Sequence, residues 1–293
     1  MTRIAFIGLG IMGSPMACNL VRASHDVVGH MRTPAKSQPL VAAGGTATET
    51  LAEAVTDAEV IVTMLPDSPD VAAVILGDEG VLAHAKPGTL IIDMSTIRPD
   101  VARRVAEAAT TRGFGVLDAP VSGGEQAAIE GTLSIMVGGD AVDFEAAQPI
   151  LDAVGSTIVH VGPAGAGQTV KAANQLIVAG TIELVSEALV LLEAYGLDTE
   201  LGVSVLAGEL AGSTVLQRKS AGMRARNFAP GFRVDLHHKD LGIVLDAARE
   251  VGVAIPLGAA TAVLMGALRA QGDGSLDHSA LLLGVERLTG RVS

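Results

Sequence analysis

A lysine and an asparagine three residues apart, Lys171 and Asn174, stand in the segment Gly165-Ala-Gly167-Gln-Thr-Val-Lys171-Ala-Ala-Asn174. At helical spacing the two share a face, and the positions around them (Val170, Ala173, Ile177, Val178) are small or apolar. A lysine there either snorkels its ammonium out to water or does chemistry. The chemistry open to it is proton delivery. An ammonium beside a carbonyl stabilises developing oxyanion charge and gives up its proton as hydride reaches the carbon. The ordinary lysine pKa of about 10.4 leaves it charged and able to donate near neutrality. Asn174 can hold the same oxygen or a neighbouring hydroxyl.

Two further segments combine glycine, hydroxyl and charge. Asp118-Ala-Pro-Val-Ser122-Gly123-Gly124 follows an apolar run and leaves bare amides and one hydroxyl, which suit a carboxylate or hydroxyl group. The alternative is a plain strand-to-helix turn with Ser122 as the helix cap. In Asp235-Leu-His237-His238-Lys239-Asp240 the adjacent histidines point about 100° apart on a helix. No third ligand stands at helical spacing, so no metal site is expected. Lys239 with Asp240 is expected to reach towards cofactor or substrate.

Hydride needs a carrier, and the start of the chain is built to hold one. The apolar run Ile4-Ala-Phe-Ile7 breaks into Gly8-Leu9-Gly10-Ile11-Met12-Gly13 and then into a helical pattern, Ser14 to Ala23. In this strand–turn–helix context the first glycine permits the tight turn. The second lets the backbone approach a pyrophosphate, and the third lets helix and strand pack closely. The helix N-terminus offers its unpaired amides to the anion. A fold that prefers NAD places an acid about 20 residues on, at the end of the second strand. Here that place reads Val27-Val28-Gly29-His30-Met31-Arg32-Thr33, and Asp26 lies at the wrong end. Arg32 can grip a 2′-phosphate with Thr33 adding a hydroxyl, so NADP(H) is favoured with NAD(H) possible. Otherwise Arg32 is a solvated surface side chain and selection is poor.

Short apolar runs (Ile4–Ile7, Val27–Val28, Val60–Met64, Leu90–Met94, Gly115–Leu117, Ser134–Val137, Ile158–Val161) alternate with helix-period segments up to Gly162. That alternation predicts βαβ units and a mostly parallel sheet. A long helical stretch from Gln168 to about Tyr195 follows, then helices around 201–209, 235–251, 256–270 and 278–288. The expected organisation is an α/β Rossmann-like domain over 1–163 and an all-α substrate and oligomerisation domain over 164–293. Ligand is expected in the cleft where the two meet.

The formal charge of −12 argues against nucleic acid and anionic membrane partners. Aromatic residues are 2% of the chain, too few for stacking platforms. The single cysteine, Cys18, excludes an internal disulfide and suits a reducing compartment. The N-terminus reads as a strand and not as a signal peptide. The best membrane candidate, Leu176 to Leu192, is interrupted by Glu183 and Glu187. A cytoplasmic protein is expected.

Five motifs occur in order: Gly8-Leu-Gly10-Ile-Met-Gly13, Met64-Leu65-Pro66, Asp118-Ala-Pro-Val-Ser122-Gly-Gly124, Gly165-x-Gly167-x-x-x-Lys171-x-x-Asn174, and Lys239-Asp240-Leu241. Over its whole length the chain resembles the β-hydroxyacid dehydrogenases (the 3-hydroxyisobutyrate dehydrogenase family). Ala211-Gly-Ser213-Thr214, Asn227-Phe-x-Pro230-Gly-Phe232 and Asp277-His278-Ser279-Ala280 resemble the subgroup that reduces tartronate semialdehyde. The resemblance implies a fold like that of 6-phosphogluconate dehydrogenase, a small anionic semialdehyde or hydroxy acid as substrate, and a homodimer or homotetramer through the helical part. It implies that Lys171 is the catalytic lysine and that Asn174 orients the substrate. Ser122, Gly123 and Gly124 would bind the substrate carboxylate, and Phe232 would wall the nicotinamide end. Thr96 and the Met64-Leu65-Pro66 loop would line the cofactor, with Lys239 touching cofactor or substrate. Many relatives carry Asn or Asp where this chain has Met31.

Overall fold

The structure is a computed structural model that describes residues 1–291, apart from the side chain of Pro34. Two compact units divide the chain, Met1–Lys171 and Ala172–Ser293.

The first unit is a sheet covered on both faces. Its strands are β1 (Arg3–Ile7), β2 (Asp26–His30), β3 (Thr46–Thr48), β4 (Val60–Thr63), β5 (Leu90–Asp93), β6 (Gly115–Asp118), β7 (Val121–Ser122), β8 (Leu133–Gly139) and β9 (Gly155–Gly162). The order is β3-β2-β1-β4-β5-β6-β8-β7, with β9 beside β8. From β3 to β6 every pairing is parallel; β8 runs antiparallel to β6. Side chains alternate along each strand, so Ile4 and Phe6 enter one core while Ala5 and Ile7 enter the other. That is why the strands read as unbroken apolar runs. The order reverses between β1 and β4, and at such a switch point the strand ends leave a crevice for ligand.

The second unit is all helix. The helix Ala166–Ala194 runs on into it, followed by Thr199–Ala207, Thr214–Arg224, Val234–Glu250, Pro256–Ala270 and Leu281–Leu288. Ala179, Ile182, Val185 and Leu189 of the long helix join Leu216, Leu241 and Met265 in one core. By length and composition the long helix is able to cross a membrane, yet these side chains are committed to the core.

Three expectations change. The helix Thr214–Arg224 is absent from the sequence reading because only Leu216, Ser220 and Met223 face inward, too few to mark a period; Ser213 caps it, accepting from Leu216 N at 3.0 Å. Residues His278–Ala280 form a 3₁₀ turn, and the last α-helix begins at Leu281. The short strand β3 is also absent from the sequence reading, because Thr46–Thr48 carries no apolar run, with two residues exposed and one half-buried.

Candidate active site

The glycine-rich turn has the shape a pyrophosphate requires. Gly8 has φ +103°, and its amide donates to His30 O at 3.0 Å. A Cβ there would overlap Met64 O, and one at Gly13 would overlap Gly8 O. Gly10 differs: apart from its own atoms and its two chain neighbours, no atom of the described residues lies within 4 Å of where its Cβ would stand. The helix Gly13–Arg22 has no side-chain cap among the described residues and no acid in its first turn. Ser14 N and Met16 N donate to Gly10 O at 2.9 Å and Met12 O at 3.3 Å, and Pro15 has no amide, so what the helix offers an anion is the positive end of its dipole beside the turn. Leu9 is buried, Met12 half-buried and Ile11 exposed. Arg32 and Thr33 are both exposed, and Arg32 lies 3.7 Å from Asp70, a loose surface pair.

The neighbouring strand ends are tied together by a buried polar chain. Thr63 Oγ1 donates to Asp93 Oδ1 at 2.7 Å, Ser95 N to the same oxygen at 3.1 Å, and Leu65 N to Ser95 Oγ at 2.8 Å. These bonds fix the Met64-Leu65-Pro66 loop, whose Pro66 is exposed, against the Ser95-Thr96 segment. Burial pushes Asp93 up to about 6, against the pull of its Ser95 and Thr63 hydrogen bonds. Its Oδ2 has no hydrogen-bond partner among the described residues.

The head of the long helix is pinned to these strand ends. Asp118, paired in register with Asp93, accepts from Gly165 N at 2.7 Å through Oδ1 and from Gln168 N at 2.9 Å through Oδ2. Gln168 Oε1 accepts from Ile97 N at 3.0 Å, and its Nε2 donates to Ser95 O at 2.8 Å. Burial raises Asp118 to about 6, opposed by the amides of Gly165 and Gln168. Three residues beyond Gln168, Lys171 is 6% exposed. The expected apolar surround is corrected: Val170, Ala173 and Ile177 are exposed and Val178 is only half-buried, while Lys171 turns inward beside Ala172 and Gln175. Residues at 170, 173 and 177 form a stripe of their own, rotated away from the lysine.

Ser122 ends β7 opposite Ser134. The helix Gly124–Glu130 takes Gly123 as its N-cap with no side-chain cap, so Ser122 is not the cap. Gly123 and Gly124 both hold positive φ, +140° and +73°, which turns the backbone sharply there.

In the helical unit, Asn174 Nδ2 donates to Gln175 Oε1 at 2.9 Å, and Gln175 Nε2 donates to Asp240. Lys239 Nζ pairs with Asp240 at 2.9 Å. The two histidines face different neighbours. His237, fully buried, meets His278 through Nδ1 at 2.8 Å and Gln175 O through Nε2 at 3.2 Å. Burial lowers the His278 pKa, which keeps that ring neutral. Phe232 sets its ring edge-on to both, at 5.6 and 5.5 Å.

Within the sheet unit the structure therefore joins the glycine turn, Met64-Leu65, the Thr96 segment and the head of the long helix; Arg32 and Thr33 follow the end of β2, where His30 O accepts from the Gly8 amide, and are exposed. Sequence reasoning missed Asp93, Ser95, Asp118 and Gln168 as the ties. The signal was present: Leu-Ile-Ile-Asp93 and Gly-Val-Leu-Asp118 each end an apolar run on an acid, and two such ends become neighbours in a parallel sheet.

Two family models match the chain: the NAD binding domain of 6-phosphogluconate dehydrogenase over residues 3–162, and the NAD-binding region of NADP-dependent 3-hydroxyisobutyrate dehydrogenase over 165–284. The 2-hydroxy-3-oxopropionate reductase of Escherichia coli (strain K12) is 42% identical over 97% of each chain. The NAD-dependent L-serine dehydrogenase of Pseudomonas aeruginosa is 39% identical over 95% of this chain and 96% of its own. The solved structure of Mycobacterium tuberculosis 3-hydroxyisobutyrate dehydrogenase with L-serine is 37% identical, with a TM-score of 0.90 over 97% of this chain and 99% of that one.

Proposed function

This chain belongs to the 3-hydroxyisobutyrate dehydrogenase family of NAD(P)-dependent oxidoreductases, and from that premise we propose that it interconverts tartronate semialdehyde (2-hydroxy-3-oxopropanoate) and D-glycerate. The substrate assignment draws on the 42% identity to the E. coli reductase and on the subgroup motifs around Ser213, Phe232 and His278. NADP(H) is the favoured carrier and NAD(H) the possible one. Arg32 and Thr33 are the residues for the 2′-phosphate, although Asp70 beside Arg32 weakens that preference.

The turn Gly8–Gly13, Met64-Leu65-Pro66, Thr96 and Lys239 would hold the dinucleotide, whose chemistry would be to supply or take up a hydride. The amides and hydroxyl of Ser122, Gly123 and Gly124 hold the substrate carboxylate. In reduction the Lys171 ammonium donates its proton to the carbonyl oxygen as it becomes an alkoxide; in oxidation the neutral amine takes that proton back. Asn174 orients the same oxygen or its neighbouring hydroxyl, and Phe232 walls the nicotinamide end. One observation carries the reading: a lysine buried in the first turns of a helix whose head is tied to the strand ends of the dinucleotide-binding sheet. The reading includes a cytoplasmic location. It also includes a homodimer or homotetramer through the helical unit, whose long helix exposes Ile177, Leu184 and Leu191 at seven-residue intervals.

The test is a rate comparison. Tartronate semialdehyde, methylmalonate semialdehyde and a third short semialdehyde are each assayed with NADPH and NADH, in wild type and Lys171→Ala. The substitution is expected to lower kcat by about 10²- to 10⁴-fold with NADPH binding nearly intact. A variant that keeps its kcat removes the lysine from the reaction. A higher kcat/KM on methylmalonate semialdehyde moves the assignment to 3-hydroxyisobutyrate dehydrogenase, the second reading, favoured by the M. tuberculosis structure.

A further inference from the structure

We propose that Asp118 is the positioning residue for Lys171, holding the first turn of the long helix, and with it the ammonium, against the ends of β5 and β6. The proposal rests on the reading of Lys171 as the acid.

A helix start leaves four amides unpaired, and the usual cap is the residue just before the helix. Here the acceptor comes from the sheet, 47 residues upstream of Gly165. Asp118 Oδ1 takes the Gly165 amide at 2.7 Å and Oδ2 the Gln168 amide at 2.9 Å. A cap from its own chain segment stabilises a helix wherever that helix lies. A cap from the end of β6 also fixes where it lies. The carboxylate meets the positive end of the helix dipole, which favours the charged acceptor despite its burial.

The surroundings are shaped around this carboxylate. A Cβ on Gly138 would stand 2.5 Å from Asp118 Oδ1, and one on Gly167 would stand 2.6 Å from Asp118 O and 2.9 Å from Oδ2. Close approach thereby explains Gly167, while Gly165 answers to its φ of +86° and to Pro99 O, 3.0 Å from where a Cβ would stand. Gln168 adds a second anchor by gripping Ser95 O and Ile97 N. Lys171 follows within one turn and is buried, so any rotation of that first turn carries its ammonium with it. Asp118 also stands four residues before Ser122, so one short stretch positions the helix head and the loop assigned to the substrate carboxylate.

Asp118→Asn exchanges one acceptor oxygen for an amide that points hydrogens at a backbone N–H. We expect kcat to fall about tenfold to a hundredfold, the scale of a misplacement near 1 Å, while NADPH affinity holds within about threefold. Hydrogen exchange in residues 165–171 is expected to accelerate while β1 and β4 keep their protection. In a Lys171→Ala background the same substitution is expected to leave the residual rate unchanged, because it acts through the ammonium. Gln168→Met, which removes the second anchor, serves as the second variant with the same expected pattern. Unchanged exchange at 165–171, an unchanged kcat, or an equal further loss on Lys171→Ala would overturn the proposal. A Lys171→Ala enzyme that keeps its rate refutes the functional reading instead, and the exchange comparison then decides by itself whether Asp118 holds the turn.

Discussion

The head of the long helix and its middle each meet one buried acid, and the two acids are treated in opposite ways. Asp118, raised by burial to about 6, has both oxygens taken by helix amides. Glu183, inside the helical unit, is raised to about 7 by burial and then by Glu187. Its Oε2 has no hydrogen-bond partner among the described residues. A buried charge that is fully hydrogen-bonded specifies a geometry; one left partly bare mainly costs stability. The head is thus located by directional bonds to fixed strand ends, whereas the middle is held by Ala179, Ile182, Val185 and Leu189 in an apolar core, which tolerates small shifts. A lysine required to face a carbonyl belongs at the located end.

The comparison is broken most severely at Gly167. A Cβ there would overlap Met136 O and stand 2.6 Å from Asp118 O, both backbone atoms of the sheet unit. Gly167→Ala must push the helix head off the sheet. A loss on the order of 3 kcal/mol in unfolding free energy is expected, together with a fall in kcat that exceeds the stability loss measured in the same buffer. Denaturant titration and steady-state assay measure the two, and a stable, fully active alanine variant would show that the head is not located by close approach. A smaller effect is expected for Gln168→Met, which leaves Ile97 N and Ser95 O without their partner. About 2 kcal/mol in all, the low end for two buried orphans, sets its scale. Unfolding at unchanged denaturant midpoint would mean that water replaces the glutamine at little cost.

What the sequence made legible follows the same division. The glycine turn, the parallel sheet and the long helix were readable because each leaves a local signature: a spacing or a run. The ties were not, because they are long-range. Asp118 reaches Gly165, Gln168 reaches Ser95, and Gln175 reaches Asp240, and no periodicity joins such positions. The burial of Lys171 was likewise hidden. Val170, Ala173 and Ile177 were expected to share its apolar surround, yet they lie on an exposed stripe of their own, since a few apolar neighbours on one turn do not say which side meets the core. The helix Thr214–Arg224 escaped for a third reason, its polar outer face leaving too sparse an inward pattern.

The finest cut between the two regions is Glu183→Gln. The folded chain holds the Glu183 proton up to about pH 7, whereas the ordinary glutamate value is 4.5. Between those values the folded state binds more protons than the unfolded one, so this group contributes stability that is present below pH 4.5 and lost as the pH rises through 7. Glutamine keeps the shape and does not titrate. The variant is therefore expected to match wild type near pH 4.5 and to exceed it by about 1–2 kcal/mol at pH 8, a figure that allows for partial hydration. Asp93 and Asp118 titrate over part of the same range, but they do so in both chains and cancel in the difference. The catalytic rate is expected to stay level, in contrast to Asp118→Asn, where removal of the same charge lowers kcat. An advantage for glutamine that is equal at pH 5 and pH 8 would trace it to packing instead of ionisation. A kcat that falls with it would mean that the middle of the helix, too, is held in place for the reaction.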